Sequence, residues 1–276
     1  RFGGNIMVLI GIGNAGCNLI NAFGDHHKKI AINYSDFPKK CNTTEEYEEH
    51  CPNFTKRLKF SESECWVALS GTGKISGATL RILEKIKHKK INILYICPDI
   101  DITGLVQQKR NRVVFSVLQQ FTRSGLLNRM YLFSNTHILN MIGDQTLTTM
   151  YEMVNKQIAH AVETFEWFKS QEPMMGSQHE PKEISRIGTL SVGDFKKNEE
   201  KLMYPLDNTT EAGYIYSISK TNLEKNRNLL KLIKERIAKD KENKIISSFL
   251  IYPSEHKQSF FYSLKLSHVI QTLEAK

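Results

Sequence analysis

The sequence predicts an α/β fold: a Rossmann-like, doubly wound parallel sheet with a central helix and a second, smaller α+β domain. Short apolar segments alternate with helical segments over the first half of the chain, which is typical of a parallel sheet covered by helices. Two of the apolar segments lead directly into glycine-rich turns. The last quarter instead has the order strand, helix, strand, strand, which is typical of a small α+β domain.

Composition sets the general class of the protein. The 276 residues are 40% hydrophobic and 24% charged, with a net charge of +9. No apolar run reaches the roughly 18 residues that a membrane-spanning helix needs, so we expect no membrane insertion. The five cysteines form no CxxC pair, and reduced thiols in a cytoplasmic protein are the simplest interpretation. The first apolar stretch ends in glycines and does not resemble a signal peptide. Because translation does not start at an arginine, we expect that a few residues precede Arg1.

The first strand, turn and helix lie in Ile6–Asn18, with the sequence IMVLIGIGNAGCN. Gly11, Gly13 and Gly16 permit a tight turn, and the free N–H groups of the following helix favour an anion. This GxGxxG pattern predicts a phosphate site, but dinucleotide enzymes share it. Asp36, after a second strand at 29–33, is a candidate to hold a ribose hydroxyl in that alternative. A tight turn without a ligand remains the structural alternative.

A second glycine-rich turn follows a short strand at 65–69. Its sequence is SGTGKISG, residues 70–77, and a helix is expected from about 78 to 87. The hydroxyls of Thr72 and Ser76 and the ammonium group of Lys74 are candidate donors to phosphate oxygens. Two such turns favour a site that grips a nucleoside triphosphate from both sides, although a flexible surface turn is the alternative.

The middle of the chain continues the alternation of strands and helices. Strands are expected at 91–97 and 130–134, with a helix between them at 105–121, and Asn135 follows the last strand. In such sheets ligands bind at the carboxyl ends of the strands, where Asn135 is placed. We therefore interpret 1–145 as a nucleotide-binding domain.

The central helix is expected within 146–170. An apolar stripe starts at Leu147 and Tyr151 and continues to Phe168, so the helix is expected to be largely buried. Tyr151 and Asn155 lie one turn apart on this stripe. They suit a base that stacks on the phenol ring while the carboxamide reads its edge, but a core tyrosine with a backbone-bonded Asn is equally compatible.

Residues 171–276 are expected to comprise a loop, at 171–181, and a C-terminal domain. Strands are expected at 213–219, 245–252 and 260–268, with one amphipathic basic helix at 223–240. The basic residues of this helix have acidic neighbours, so a solvated helix face is favoured over a dedicated DNA-binding patch.

In order and spacing, these motifs resemble the tubulin/FtsZ superfamily of GTP-dependent filament proteins. The match runs over about 150 residues, from IGIGNAGCNLINAF through SGTGKISG and the loop at 97–107 to Asn135 and the Tyr151–Asn155 pair. The resemblance implies GTP or GDP with Mg²⁺. The residues that we assign to the nucleotide are Gly11, Gly13, Asn14, Ala15, Gly16, Cys17, Asn18, Gly71, Thr72, Gly73, Lys74, Thr103, Gln107, Asn135, Tyr151 and Asn155.

The chain also departs from the family. Ile75 replaces an expected glycine, Thr103 an expected ribose-binding acid, and Lys156 follows the guanine-reading Asn where FtsZ has an acid. The stretch between the second strand and the second turn is also short. The acid-bearing loop after the central helix lacks the usual Asn-x-Asp pattern, and Glu183, with Glu180 as second candidate, takes the place of the catalytic acid.

The resemblance implies a head-to-tail homopolymer that hydrolyses GTP at the subunit interface, slowly or not at all if the altered acids fail. Small size, basic charge and altered motifs favour a bacterial, plasmid or phage version. It would position DNA or virions or act in division, with a DNA-binding adaptor or virion component as a partner. Two alternatives are a non-hydrolysing structural protein of the same fold and an NAD-dependent oxidoreductase.

Overall fold

The computed structural model describes residues 6–195, 197 and 199–273. The start of the expected nucleotide-binding domain, 1–5, and the end of the expected C-terminal domain, 274–276, lie outside the described residues. The chain divides into two compact units, residues 6–160 with 270–273 and residues 161–269. Within the described residues, every helix is too short or too polar to cross a membrane.

The first unit is built on a five-stranded parallel sheet with the order β2-β1-β3-β4-β5. The strand β4 is apolar along most of its length, and its Ile93 and Leu94 are fully buried. Such continuous burial is typical of a parallel sheet covered on both faces. The elements are β1 (Val8–Ile12), α1 (Gly13–Ala22), β2 (Lys28–Ile32), α2 (Thr44–Glu49), β3 (Glu64–Leu69), α3 (Thr79–Lys85), β4 (Lys90–Cys97), α4 (Leu105–Arg123), β5 (Arg129–Ser134), α5 (Asn135–Ile142) and α6 (Met150–Lys169), which continues into the second unit.

The second unit has a mixed sheet with the order β8-β7-β11-β9-β10-β6, in which only the β9–β10 pair of the described strands is parallel. Its core packs Tyr214, Tyr216 and Phe261 against Leu229 and Ile233 of a helix. The elements are β6 (Met175–Ser177), β7 (Ile187–Asp194), β8 (Glu199–Leu202), β9 (Thr209–Ser219), α7 (Lys220–Lys225), α8 (Leu229–Glu242), β10 (Ile246–Ser254) and β11 (Phe260–Ser267).

The central helix starts later than expected and is not buried at its beginning. α6 begins at Met150, and the hydroxyl of Thr146 lies 3.0 Å from that of Thr148 and 2.8 Å from that of Thr149. Such side-chain hydrogen bonds compete with the first helical turn. Leu147 is 87% exposed and Tyr151 is 47% exposed, so the expectation that both are buried in the stripe was wrong.

The basic segment expected at 223–240 is two helices. α7 ends at Lys225, and the extended backbone of Asn226 (φ −93°, ψ 97°) interrupts the helix before α8 begins. The side chain of Asn226 accepts a hydrogen bond from the N–H of Asn228, so an Asn turn replaces one helical turn. The short strand β6, within the expected loop at 171–181, and the helix α5 were not predicted.

Candidate nucleotide-binding site

The first glycine turn places the N-terminus of α1 at the carboxyl end of β1. Gly13 has φ +71°, a backbone conformation that side chains disfavour. A Cβ on Gly16 would lie 2.1 Å from the carbonyl oxygen of Ala68, so this glycine lets α1 pack directly on β3. No side chain caps the first turn of α1, and its N–H groups therefore remain for an anion.

Cys17 and Asn14 differ in what they present. The buried Cys17 thiol donates to the carbonyls of Gly11, at 3.5 Å, and Ile32, at 3.7 Å. Burial raises the pKa of this thiol, so Cys17 is neutral and offers a ligand only its backbone. Asn14 is exposed, and its side-chain oxygen accepts a hydrogen bond from Asn33 at 2.8 Å.

The second glycine turn is held from inside by Ser76 and from α4 by Arg110. The buried Ser76 hydroxyl donates to the carbonyls of Gly73, at 2.7 Å, and Gly71, at 3.3 Å. Ser76 therefore shapes the turn, and the expectation that its hydroxyl faces phosphate was wrong. Arg110 donates to the Thr72 carbonyl at 2.5 Å. Sequence reasoning missed the role of this arginine, because an arginine on the polar face of a helix has the same sequence pattern whether it is solvated or hydrogen-bonded to a distant loop.

Ile75 connects the two glycine turns. It is buried, and its Cγ2 lies 2.8 Å from the position that a Cβ on Gly13 would take. The isoleucine that stands in place of the expected glycine thus fills the space beside the first turn. This departure from the family pattern is accommodated by packing.

One open cleft in the first unit, of about 330 Å³, gathers residues from six parts of the chain. Pockets of about this size hold small ligands. Of the predicted residues, Ala15, Asn18, Thr72, Thr103, Gln107, Asn135, Tyr151 and Asn155 line the cleft; Ser70, Ile96, Pro98 and Ile102 also line it and were missed. Ile96 belongs to β4, and Ser70 and Pro98 directly follow β3 and β4, so their strand-end positions were the available signal.

The remaining predicted nucleotide residues do not line the cleft: Gly11, Gly13, Asn14, Gly16, Cys17, Gly71, Gly73 and Lys74. Most of them belong to the two glycine turns. A Cβ on Gly71 would lie 2.6 Å from the hydroxyl oxygen of Tyr95, which shows how tightly this turn packs. Lys74 is exposed at the start of the following 3-10 turn.

Among the residues that the structure describes, those that line the cleft all have neutral side chains. Asn135 is nearly buried at the start of α5, whereas the Tyr151 ring is half-exposed. Thr103 donates its hydroxyl proton to the carbonyl of Asp99, and Gln107 accepts a hydrogen bond from Gly104 at 3.2 Å. The described lining therefore places no negative charge against an anionic ligand, offers one aromatic face, and includes no carboxylate to act on that ligand.

Asp36 is fully engaged elsewhere. One of its carboxylate oxygens accepts the N–H of Asn33 at 2.7 Å, and the other accepts from Arg57 at 2.6 Å. Asp36 is absent from the cleft lining. These contacts oppose the alternative in which this acid holds the ribose of a dinucleotide.

The two candidate catalytic acids lie in the second unit. Glu180 and Glu183 are both exposed, in the loop between β6 and β7, and neither lines the cleft. The two candidate acids are therefore not part of the cleft lining.

Neither the family models nor the curated proteins compared with this sequence give a match. Solved structures do. TubZ from Bacillus thuringiensis serovar israelensis, in a GTPγS-form protofilament, matches with a TM-score of 0.70 at 14% identity over 96% of this chain and 88% of that chain.

Two further structures are similar over nearly the whole chain. An FtsZ dimer from M. jannaschii gives a TM-score of 0.66 at 12% identity, covering 95% of this chain and 88% of that one. CetZ from Methanosaeta thermophila gives 0.62 at 14% identity, covering 96% and 87%. At such low identity the similarity establishes the fold. The chain therefore has the tubulin/FtsZ-like fold that its motifs predicted.

Proposed function

We propose that this protein binds GTP in the neutral cleft and assembles head to tail, so that each subunit completes the nucleotide site of its neighbour. The observation that carries the proposal is that the cleft unites both strand-to-helix turns with Tyr151 and Asn155 yet contains no acid. An acid for hydrolysis then has to come from another surface. The structurally similar TubZ forms a GTPγS-form protofilament, which supports this assignment.

The two turns are assigned to the phosphates. The uncapped first turn of α1 supplies N–H groups, and Thr72 adds a hydroxyl from the second turn. Asn135 and Asn155 are assigned to the base, because a carboxamide carries both a donor and an acceptor and pairs with the mixed edge of guanine. Tyr151 is assigned to stack on the base, which its half-exposed ring permits.

Magnesium fits this site only as a companion of the nucleotide. The cleft has no carboxylate, and Mg²⁺ commonly combines phosphate oxygens with retained waters. The side-chain oxygens of Asn18 and Thr72 would hold it beside the phosphates. Bound there, Mg²⁺ would neutralise charge on the transferring phosphoryl group.

Hydrolysis is assigned to the exposed acids of the next subunit. Glu183, or Glu180 as second candidate, would orient and polarise the attacking water when the loop enters the neighbouring cleft. Positioning of this kind supplies most of the catalysis in phosphoryl transfer. A contact between two different faces of the subunit is open-ended and produces filaments. Filaments of this type suit positioning of DNA or virions, or division, in a bacterial, plasmid or phage setting, with an adaptor as partner.

The test is light scattering with parallel phosphate release after addition of GTP and magnesium to the purified protein. A slowly hydrolysed GTP analogue and the variant Glu183→Ala serve as controls. We expect assembly with GTP and with the analogue, and turnover that is lost in Glu183→Ala. Assembly without turnover in the unaltered protein would select the non-hydrolysing structural alternative. If the protein neither assembles nor binds GTP, the proposal is refuted.

A further inference from the structure

We infer that Glu211 is a positioning residue that holds the acid loop, defined as residues 178–184, in the conformation that presents Glu180 and Glu183. The inference rests on the proposed function, because it concerns the loop that supplies the catalytic acid. It assigns a role to a buried carboxylate that the sequence did not single out.

The contacts of Glu211 are directed at this loop. Glu211 lies in β9, between β10 and β11, and is 3% exposed. Both of its carboxylate oxygens accept from the backbone N–H of Lys182, each at 3.1 Å. One of these oxygens also accepts from Nε2 of His179 at 3.1 Å. One buried side chain thus fixes the loop at two points.

The two fixed points alternate with the two acids. His179 directly precedes Glu180, and Lys182 directly precedes Glu183. Both acids are exposed, while the residues before them are hydrogen-bonded to the sheet. Holding the side chain of His179 and the backbone of Lys182 limits the directions that both carboxylates can take, which is the requirement for positioning catalysis.

A carboxylate at this position of β9 is costly unless it serves the loop. Its neighbours along the strand include the buried apolar residues Ala212 and Ile215. A buried carboxylate is tolerated only when hydrogen bonds and an opposite charge compensate for lost hydration. The backbone N–H of Lys182 and the ring of His179 provide hydrogen bonds of this kind, so the strand and the loop order each other. The hydroxyls of Ser185 and Thr210, 3.3 Å apart, fix the chain just beyond the loop to the same strand.

The first measurement is hydrogen exchange at the Lys182 amide, which requires no activity. We expect Glu211→Gln to speed this exchange about tenfold, since it replaces charge-assisted hydrogen bonds by neutral ones. His179→Ala alters an exposed side chain and does not threaten folding; we expect an increase of about threefold. Glu200→Gln is the matched control, because Glu200 pairs with Arg236 at 3.1 Å and Lys265 at 3.5 Å in the same unit.

The second measurement is GTP turnover per assembled subunit. We expect Glu211→Gln to lower kcat about tenfold, as a loop released from its anchor spends less time in the productive conformation. GTP affinity of the unassembled protein should not change, and Glu200→Gln should retain turnover. Adding Glu211→Gln to Glu183→Ala should cause no further loss, because both act through one group.

The outcomes separate this inference from the proposed function. Unchanged exchange at Lys182 in Glu211→Gln would overturn the positioning role. Full turnover in Glu211→Gln, with turnover lost in Glu183→Ala, would overturn it and leave the proposed function intact. Full turnover in the double variant Glu180→Ala/Glu183→Ala would instead refute hydrolysis by the acid loop, and the role of Glu211 in turnover with it. Faster exchange together with lower kcat, both absent from Glu200→Gln, would support the inference.

Discussion

At the scale of single residues, the candidate site includes side chains that are partly exposed, although their sequence pattern predicted burial in the core. Tyr151 and Asn155 lie on adjacent turns of α6 and line the same cleft, and Tyr151 is 47% exposed. Packing within the described residues does not explain why the Tyr151 ring is half-exposed beside the carboxamide of Asn155. A base bound between them would bury both.

We predict that Asn155→Ala lowers GTP affinity about tenfold and reduces preference for GTP over ATP, because one base-edge hydrogen bond is lost. Fluorescent nucleotide titration with competing nucleotides measures both. Glu152→Ala on the same turn is the control, since its exposed ion pair with Lys156 contributes little to stability. Equal affinities in the two variants would remove Asn155 from the site.

A second prediction concerns pH and the buried thiol of Cys65 in β3. Burial raises the pKa of this thiol from 9.0 to about 12. A raised pKa in the folded state gives stability that is complete below the unfolded value and lost as pH rises from 9 towards 12. At about pH 10.5 the loss should be about 2 kcal/mol relative to about pH 8.

Urea unfolding of the protein and of Cys65→Ala at both pH values measures this effect. The variant removes the thiol, so the part of the pH dependence caused by Cys65 should disappear while other groups titrate equally. An identical pH dependence in both proteins would contradict the assigned cause.

At the scale of elements, the two glycine turns are positioned by the packing of helices on strands. α1 approaches β3 so closely that Gly16 has no room for a side chain. α4 reaches the second turn through Arg110, which donates to the carbonyl of Thr72. Contacts between helices and strands therefore fix the conformation of both glycine turns.

We predict that Gly16→Ala destabilises the protein by at least about 2 kcal/mol, because its Cβ would displace α1 from β3. Thermal or urea unfolding measures the change, and nucleotide binding should weaken with it. Gly104→Ala is the control, since a Cβ there would lie 3.4 Å from Gln107, an ordinary contact. Equal stability of the two variants would show that α1 shifts without cost.

We predict that Arg110→Ala weakens nucleotide binding about fivefold to tenfold with a smaller effect on unfolding, because a charge-assisted hydrogen bond to the second turn is lost. Isothermal titration with GTP measures the affinity. The neighbouring Lys109→Ala removes an exposed cation from the same helix and serves as the control. Loss of affinity in both variants would indicate a general electrostatic effect.

At the scale of the whole molecule, the proposed reaction requires two subunits. The cleft carries no acid, and the exposed acids lie in the other unit of the chain. A subunit defective in its cleft and one defective in its acid are therefore expected to complement each other within a filament.

We predict that mixing Asn155→Ala with Glu183→Ala restores phosphate release above the level of either variant alone, at a GTP concentration that fills the intact cleft but lies below the Kd of the Asn155→Ala cleft. In the mixture, a subunit with an intact cleft meets a neighbour with an intact Glu183. Phosphate release measured across mixing ratios should be greatest near equal amounts. Additive rates at every ratio would show that each subunit hydrolyses GTP alone.

By itself, the sequence determined the fold class and much of the cleft. Strand-to-helix alternation and glycine turns are local patterns, so they predicted the parallel sheet. The resemblance of the ordered motifs to the tubulin/FtsZ superfamily implied the more specific fold, which the similarity to solved structures confirms. Tyr151 and Asn155 were identified from their spacing of one helical turn, and Asn135 from the family resemblance; the structure places all three in the lining of one cleft. That these residues bind GTP stays a prediction.

Only the tertiary structure decided how distant residues hold one another. The clamp of Arg110 on Thr72, the turn of Ser76 towards its own loop and the anchoring of Lys182 by Glu211 join residues up to 38 positions apart. Periodicity describes which face a residue takes on its own element. Periodicity carries no information about which backbone group of another element contacts that face, because long-range packing determines this contact.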